Sequence, residues 1–240
     1  MVCYGRKINN MRGGQLQGRE CLSQQKYTTP HQRVVRYTQT VLNPRAQEYT
    51  HAMTDTEEKV LLQASLVFPV RNVASNTRGE TVPTHVALGI KKKKIGAGLY
   101  NGVGGGIELG ETPAESAVRE AFEEWGVSLN KDALALRGVV DFHNIKSDGE
   151  RFTCRVYVFI SPPWQGEARE SDEMGTPEWF AVDALPVDQM MLADRDWLPT
   201  LLASDSPIYA QCAYGPKQQT LERPSVVHLA TLAELQTLLP

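Results

Sequence analysis

A helix whose two ends are both marked in the sequence constrains this chain more than any other feature. Thr112 is a good N-cap residue, Pro113 suits the first helical position, and Glu115 completes a capping box with Thr112. Gly126 supplies a left-handed stop. These signals predict a helix over residues 113–125. At about 100° per residue, one face of this helix is apolar and must pack on a core; it comprises Ala114, Ala117, Val118, Ala121, Phe122 and Trp125.

The chain from residue 60 onwards has the pattern of a β-rich domain. Apolar and β-branched runs, separated by Gly, Pro, Asn and Asp, predict strands at residues 60–70, 84–90, 134–142, 152–160 and 178–182. Weaker helical patterns cover residues 194–203 and 231–239. We therefore expect an α+β fold in which a mixed β-sheet lies between helices, as an α/β/α sandwich.

Residues 1–52 differ from the rest in charge and pattern. They hold eight Lys or Arg against Glu20 and Glu48 and show no hydrophobic period, so we expect a flexible basic extension before one domain at residues 53–240. Their composition is compatible with an organellar transit peptide, and a translation start at Met53 is an alternative. The expected location is therefore the cytoplasm, or a mitochondrion or other organelle if the extension is a transit peptide.

Charge and hydropathy exclude two classes of partner. No apolar run approaches the ~18–20 residues of a membrane-spanning helix, so we expect no membrane partner. The residues after the extension are near −9 in net charge, which disfavours binding to a nucleic-acid duplex. A small nucleotide accompanied by a metal ion is compatible with this charge. We also expect the protein to be a monomer.

Three glutamates occupy a neighbouring face of the predicted helix. Glu120, Glu123 and Glu124 are spaced so that their carboxylates lie within reach of one another, and only Arg119 is available to offset the repulsion. A solvated charged face is one interpretation, although such a face usually interleaves Lys or Arg. The other is a divalent cation that bridges the carboxylates, because Mg²⁺ prefers oxygen ligands and binds carboxylates together with substrate phosphates.

Glycines cluster just before this helix, at Gly102, Gly104, Gly105, Gly106 and Gly110. Such a backbone can turn tightly and approach a ligand where a Cβ would obstruct it. Their spacing is neither that of a dinucleotide-binding fingerprint nor that of a P-loop. We therefore interpret the glycine-rich segment and the acidic helix as one site.

Together these segments resemble the 23-residue signature of the Nudix hydrolases, with every charged and glycine position filled. The matching residues are Gly105-x5-Glu111-x7-Arg119-Glu120-Ala121-x-Glu123-Glu124-x-Gly126-Val127. Ala121 is a soft departure, since the family usually has a larger aliphatic residue there. The resemblance implies a Nudix fold and Mg²⁺-dependent hydrolysis of a nucleoside diphosphate linked to another moiety, with Mn²⁺ as an alternative metal.

The resemblance also implies roles for individual residues. Glu111 and Arg119 resemble the pair that braces the loop and orients the carboxylates. General-base work falls to Glu123 or Glu124, and a sequence does not distinguish a carboxylate that binds metal from one that accepts a proton. The implied metal ligands are Glu120, Glu123, Glu124 and the backbone carbonyl of Gly104.

Further segments are similar to the MutT-type oxidised purine nucleoside triphosphatases of animals, at residues 96–105, 170–180 and 197–202. By this resemblance, Glu173 is an additional metal-site carboxylate, whereas Asn101 and Asp194 hydrogen-bond the purine. The base pocket departs from the relatives, because Asp194 alone remains of a paired Asp and neither Met191 nor Ile95 is the expected aromatic residue. Met191 and Phe142 either line the pocket or fill the core.

These observations lead to one expected function and two alternatives. We expect a pyrophosphohydrolase that converts oxidised purine nucleoside triphosphates, such as 8-oxo-dGTP, to the monophosphate and pyrophosphate. Another Nudix substrate, such as a dinucleoside polyphosphate or a nucleotide sugar, is the first alternative, because the pocket is altered. A catalytically silent nucleotide-sensing module is the second, and the complete set of carboxylates disfavours it.

Overall fold

The computed structural model describes residues 60–240, so the extension predicted for residues 1–52 lies outside the described residues. The strands are β1 Val60–Ser75, β2 Thr81–Ile90, β3 Tyr100–Asn101, β4 Val103–Gly106, β5 Ala135–Ile145, β6 Arg151–Ser161, β7 Glu178–Ala181, β8 Ile208–Ala213 and β9 Val226–Leu229. The helices are α1 Pro113–Trp125, α2 Asp194–Ala203 and α3 Leu232–Gln236, and there are short 3₁₀ turns at Lys131–Ala133, Val182–Ala184, Val187–Gln189 and Pro216–Gln218.

The strands form one mixed sheet in the order β3-β2-β1-β6-β5-β8-β9, with β4 also paired to β1 and β7 to β2. The pairs β1 with β6 and β5 with β8 are parallel, and the other pairs are antiparallel. Both parallel pairs join strands that are distant in the chain, as parallel pairing requires.

Helices cover both faces of this sheet, which confirms the expected α/β/α layering. On one face, α2 contributes Trp197 and Leu198 to a core that contains Phe68. On the other face, α1 and α3 contribute Ala117 and Leu235 to a second cluster. Phe68 follows a residue of the second cluster directly, because successive side chains of a strand point to opposite faces.

One edge of the central strand β1 pairs with two different strands along its length, and we call this arrangement the β1 fork. The first half of β1 pairs with β4 from Ala64↔Gly106 to Val67↔Val103, and its second half pairs with β2 from Val70↔Val86 onwards. Gly102 lies where the two partners diverge, and a Cβ there would lie 2.7 Å from the carbonyl oxygen of Val67. The fork therefore requires glycine next to the strand that leads into the acidic helix.

The ends of α1 are those that the sequence predicts. The side chain of Thr112 accepts a hydrogen bond from the Glu115 N–H, and the Glu115 carboxylate accepts one from the Thr112 N–H. Gly126 closes the helix with φ 68°. The bounds of α2 also match the prediction, whereas α3 is shorter than the predicted 231–239.

Four strands, β3, β4, β8 and β9, are not among the predicted ones. The strand β3 has two residues, and β4 has the sequence Val-Gly-Gly-Gly, which lacks the side chains that signal a strand. Pairing with β1 creates β4, so its conformation depends on contacts that are distant in the sequence. Short β9 likewise depends on pairing with β8.

The prediction that Phe122 faces the core is wrong. Its side chain is 59% exposed, whereas Ala117, Ala121 and Trp125 are fully buried. These three residues are spaced four apart, so the buried stripe is narrower than the apolar arc of the sequence. Phe122 lies one residue, or about 100°, beyond the centre of that stripe.

The two sides of α1 should respond differently to substitution. We expect Phe122→Ala to change the free energy of unfolding by less than ~1 kcal/mol, because the side chain is mostly exposed. Ala117→Leu should destabilise by about 1–3 kcal/mol, because no space remains at this buried position. Urea denaturation of both variants measures the difference, and a larger loss for Phe122→Ala would contradict this orientation of the helix.

Candidate active site

The guanidinium group of Arg119 connects the acidic helix with the loop before it. It donates two hydrogen bonds to the carboxylate of Glu111, at 2.9 and 3.0 Å, and one to the carbonyl of Gly106 at 2.9 Å. It also donates to Glu120 at 2.8 Å and to Glu123 at 3.0 Å. Arg119 thus contacts carboxylates before it and after it in the chain, as the proposed bracing role requires.

These hydrogen bonds affect the ionisation of both partners. The Arg119 guanidinium holds the pKa of the Glu111 carboxyl below its ordinary value, and the carboxylate in turn raises the pKa of Arg119. Glu111 also accepts a hydrogen bond from the Glu108 N–H at 3.0 Å. The charged forms of both groups are therefore favoured, and the loop between β4 and α1 is tied to the helix.

Glu124 is the buried member of the acidic group. It is 3% exposed and accepts a hydrogen bond from the Gly104 N–H at 3.0 Å. Burial raises the pKa of its carboxyl to about 7, and the negative charges of Glu120 and Glu173 add to this rise, whereas Lys91 opposes it. A cation at this position would favour the charged carboxylate.

The glycines of β4 allow the strand to approach its neighbours closely. A Cβ on Gly104 would lie 2.1 Å from the carbonyl oxygen of Ser65, and a Cβ on Gly105 would lie 2.2 Å from a carboxylate oxygen of Glu120. Real Cβ contacts are not this short, so neither position accepts a larger residue without movement of the backbone or the carboxylate.

Glu173 reaches the same region from a distant part of the chain. It forms an ion pair with Lys94 at 2.9 Å, and Lys94 also lies within electrostatic range of Glu120 and Glu124. Two preceding lysines pair with neighbouring acids, Lys92 with Glu170 at 2.7 Å and Lys93 with Asp172 at 3.5 Å. The structure therefore brings Glu173 to the side of the helix carboxylates.

Sequence reasoning missed the lysines of this region. None of residues 91–94 is among the predicted site residues, but Lys91 lies within electrostatic range of both Glu124 and Asp194. Lys94 has a left-handed backbone conformation with φ 60°, which is uncommon for a residue with a side chain. A signal was present, because four successive lysines occur between the strand predicted at residues 84–90 and the glycine-rich segment.

The donor groups fit a hard divalent cation in their chemistry. Glu120, Glu124 and Glu173 supply carboxylate oxygens, the ligand type that Mg²⁺ prefers. In the part of the chain that is described, no three acidic, His or Cys side chains converge as a metal cluster. Arg119 engages Glu120, and Lys94 engages Glu173. Cations thus already compensate these carboxylates, which is the charge that a metal ion would supply.

The residues predicted for base recognition are engaged within the protein. The side-chain oxygen of Asn101 accepts the Gly102 N–H at 2.8 Å, which is a local turn role. Asp194 is 3% exposed and accepts the indole N–H of Trp197 at 3.1 Å. Asp194 begins α2, and Asn101 follows Tyr100, which forms a bridge with Met190.

Phe142 and Met191 pack against the core on the same α2 face. The ring of Phe142 stacks on Tyr214 with centroids 6.1 Å apart and an angle of 24° between the planes. Residues 91–99, between β2 and β3, form a lysine-rich loop. Met191 lies next to this loop, since a Cβ on Gly96 would lie 3.0 Å from its sulfur. Both residues are half-buried, so each contributes to the core and leaves part of its side chain at the surface.

The structure has a mixed sheet between helices, and the glycine-rich strand β4 lies beside the acidic helix α1. This is the arrangement expected of the pyrophosphohydrolase class that the signature predicts. The chain belongs to the Nudix family, because the family model of the NUDIX domain matches residues 53–201. Nudix hydrolases generally use divalent metal ions and act on small nucleotide substrates. Among the described residues, no helix is long and apolar enough to span a membrane.

The chain is similar to oxidized purine nucleoside triphosphate hydrolases in sequence and to a MutT protein in fold. The oxidized purine nucleoside triphosphate hydrolase of Danio rerio is 41% identical over 120 residues, which cover 50% of this chain and 73% of that protein. The protein of the same name from Mus musculus is 38% identical with the same coverage. A MutT protein from Bacillus halodurans shares the fold, with a TM-score of 0.55 and 22% identity over 70% of this chain and 97% of that chain.

The buried carboxyl of Asp194 should make stability depend on pH. Burial raises its pKa from the ordinary 3.8 to about 7, so the folded protein retains a proton that the unfolded chain releases at lower pH. This contribution to stability is fully present below about pH 4 and is lost as the pH rises to about 7. The free energy of unfolding of the wild type, relative to Asp194→Asn, should therefore fall across this range in urea denaturation.

Asp196→Asn is the matched control, because Asp196 lies on the same helix and is more exposed than Asp194. Because more of its side chain is accessible to water, this variant should follow the wild type more closely than Asp194→Asn does. A constant difference for Asp194→Asn would show that this carboxyl is not protonated in the folded protein.

Proposed function

We propose that this Nudix hydrolase converts oxidised purine nucleoside triphosphates, such as 8-oxo-dGTP, to the monophosphate and pyrophosphate. The observation that carries the proposal is the arrangement of Glu120 and Glu124 on α1 with Glu173 from a distant loop beside them. The oxidized purine nucleoside triphosphate hydrolases among the relatives support the substrate class. Removal of such nucleotides would sanitise the nucleotide pool.

The cofactor in this proposal is Mg²⁺, with Mn²⁺ as an alternative. The residues that would hold it are Glu120, Glu123, Glu124, Glu173 and the backbone carbonyl of Gly104. When bound, the cation supplies charge neutralisation for the polyphosphate and lowers the pKa of the attacking water. Arg119 and Glu111 orient the helix carboxylates through the hydrogen bonds between them.

The general base in this proposal is Glu123 or Glu124, and their environments differ. The side chain of Glu123 is 54% exposed and within reach of water, whereas Glu124 is buried against the Gly104 N–H. An exposed carboxylate can accept a proton from water directly, while a buried one is better placed to orient a bound group.

We expect Glu123→Gln and Glu124→Gln each to lower kcat by about 100-fold or more, because each removes a metal ligand or the base. Folding should survive both changes. Glu124→Gln should also raise the melting temperature of the metal-free protein, since it removes a buried charge. Steady-state kinetics at saturating Mg²⁺ and thermal unfolding without metal measure these effects.

Glu150→Gln is the control, because Glu150 is an exposed residue that pairs with Lys146 in the turn between β5 and β6. It should retain full turnover. Wild-type turnover in both Glu123→Gln and Glu124→Gln would mean that the catalytic assignment is wrong.

Base recognition in this proposal falls to Asn101 and Asp194, with Phe142 and Met191 beside the purine. The support is the position of Asp194 at the start of α2, with Phe142 and Met191 packed against the core cluster on the same side of the sheet. Asp194 at a pKa of about 7 is present in both protonation states near neutral pH. A carboxyl in this range can donate or accept a hydrogen bond, and an oxidised purine differs from the normal base in its donors and acceptors.

Removal of the base contacts should affect purines selectively. We expect Asp194→Ala to lower kcat/KM for 8-oxo-dGTP by about 10- to 150-fold, the value of a hydrogen bond to a charged group. Asn101→Ala should cost about 2- to 10-fold, because its hydrogen bond is between neutral groups. Neither change should alter kcat/KM for dCTP comparably, since the phosphates are bound elsewhere. Equal losses for both nucleotides would assign the two residues to folding.

A second candidate is hydrolysis of another nucleoside diphosphate derivative, such as a dinucleoside polyphosphate or a nucleotide sugar. The observation that favours it is that Asn101 and Asp194 already hydrogen-bond within the protein. Ala193 also stands where the relatives have the first of two Asp residues. Comparison of kcat/KM over normal and oxidised nucleotides, dinucleoside polyphosphates and nucleotide sugars distinguishes the candidates.

The remaining parts of the proposal concern the whole chain. We propose a catalytic domain at residues 53–240, a range that includes the family match at residues 53–201. Residues 1–52 would be an extension, and a transit-peptide role would place the enzyme in an organelle rather than the cytoplasm. The partner is a small nucleotide, neither duplex nucleic acid nor a membrane is expected to bind, and the protein would act as a monomer.

A further inference from the structure

The loop that carries Glu173 begins and ends on one residue of α1. We define residues 169–175 as the Glu173 loop. At its start, the Arg169 N–H donates to the carbonyl of Trp125 at 3.0 Å. At its end, the indole Nε1–H of Trp125 donates to the carbonyl of Gly175 at 3.1 Å. Within the described part of the chain, both hydrogen bonds between this loop and α1 therefore involve Trp125.

Other contacts tie the Glu173 loop to the end of β2. The Lys92 N–H donates to the carbonyl of Glu173, and the Gly175 N–H donates to the carbonyl of Ile90, each at 2.8 Å. Inside the loop, the hydroxyl of Ser171 accepts the Glu173 N–H at 3.2 Å. The loop thus has a defined shape and a fixed edge on β2, while Trp125 supplies its hydrogen bonds to the acidic helix.

Trp125 is itself held firmly. It is fully buried, and its ring lies 5.6 Å from that of Trp164. Trp164 stacks on Trp179 at 5.3 Å, and the guanidinium of Arg71 lies 4.2 Å from the centre of the Trp179 ring. A ring packed in such a column has little freedom, so the indole N–H is a fixed point for the loop.

Because of its position in the chain, Trp125 links the Glu173 loop to the part of α1 that carries Glu124. Trp125 directly follows Glu124 and ends α1, so the indole anchor and the buried carboxylate belong to the same helical turn. Glu173 pairs with Lys94, which also lies within electrostatic range of Glu124. Any shift of the loop relative to the helix end would change the distance between the two carboxylates.

We propose that Trp125 is a positioning residue that sets Glu173 at the right distance from the α1 carboxylates, so that they bind one divalent cation together. This inference rests on the metal-binding role of Glu173 in the proposed function. A carboxylate on a loop loses conformational freedom when it binds a cation, and a loop that is already ordered reduces this cost. Residues that orient metal ligands change metal affinity without contacting the metal.

The test measures Mn²⁺ binding to the metal-free protein by electron paramagnetic resonance. Trp125→Phe keeps an aromatic ring in the column but removes the N–H that Gly175 accepts. We expect the Kd for Mn²⁺ to rise by about 5- to 10-fold, as for the loss of a hydrogen bond that orients a ligand. Trp164→Phe is the matched control, because Trp164 belongs to the same column and its indole donates no hydrogen bond among the described residues. Its Kd should stay within about 2-fold of the wild type.

A double variant separates positioning from general structure. Glu173→Gln should raise the Kd by itself, and Trp125→Phe added to it should have no further effect, because Trp125 acts through Glu173. An equal effect of Trp125→Phe in both backgrounds, or no effect in the wild type, would overturn the inference. An unchanged Kd in Glu173→Gln alone would instead refute the metal-binding role of Glu173.

Hydrogen exchange of the wild type provides a second measurement that does not depend on the folding of Trp125→Phe. Addition of Mg²⁺ should slow exchange of the Arg169 amide, because its acceptor is Trp125 at the end of the metal-binding helix. The same protection should be absent in Glu173→Gln. Exchange at Arg169 that does not respond to Mg²⁺ in the wild type would also overturn the inference.

Discussion

The guanidinium of Arg119 is the group on which the arrangement of the site depends. Three carboxylates within one turn of a helix repel one another, and the planar fork of an arginine can bind several of them at fixed angles. Arg119 does this for Glu120 and Glu123, while its other nitrogens bind Glu111 and the carbonyl of Gly106. A lysine would supply one point charge without these directions. The loop and the helix therefore form one unit before any ligand is present.

The proposed site has two parts that lie against different faces of the sheet. The carboxylates belong to α1 on one face, and Asp194 begins α2 on the other. The fork of β1 connects these parts, because β4 leads to the acidic helix while β2 ends at the lysine-rich loop. Lys91 acts electrostatically on both Glu124 and Asp194. A nucleotide with its phosphates at the first part and its base at the second would pass this lysine.

Local signals in the sequence predict only those features that depend on residues close together in the chain. They give the bounds of α1, because both caps are hydrogen bonds between residues that are close in the chain. They place Phe122 wrongly, because the width of the buried stripe depends on the sheet that the helix contacts. The strand β4 also escapes prediction, since three glycines carry no strand signal and pairing with β1 creates the strand.

The sequence by itself determined the family, the ends of the acidic helix and the order of its carboxylates, because fixed spacings along one chain encode all three. Only the tertiary structure decided which distant groups meet. It buries Glu124 against the Gly104 N–H, brings Glu173 beside Lys94, and closes the Glu173 loop on Trp125. The physical reason is that these contacts depend on the pairing of strands and the packing of helices. Strand pairing and helix packing each involve residues that are far apart in the chain, so no local sequence pattern predicts these contacts.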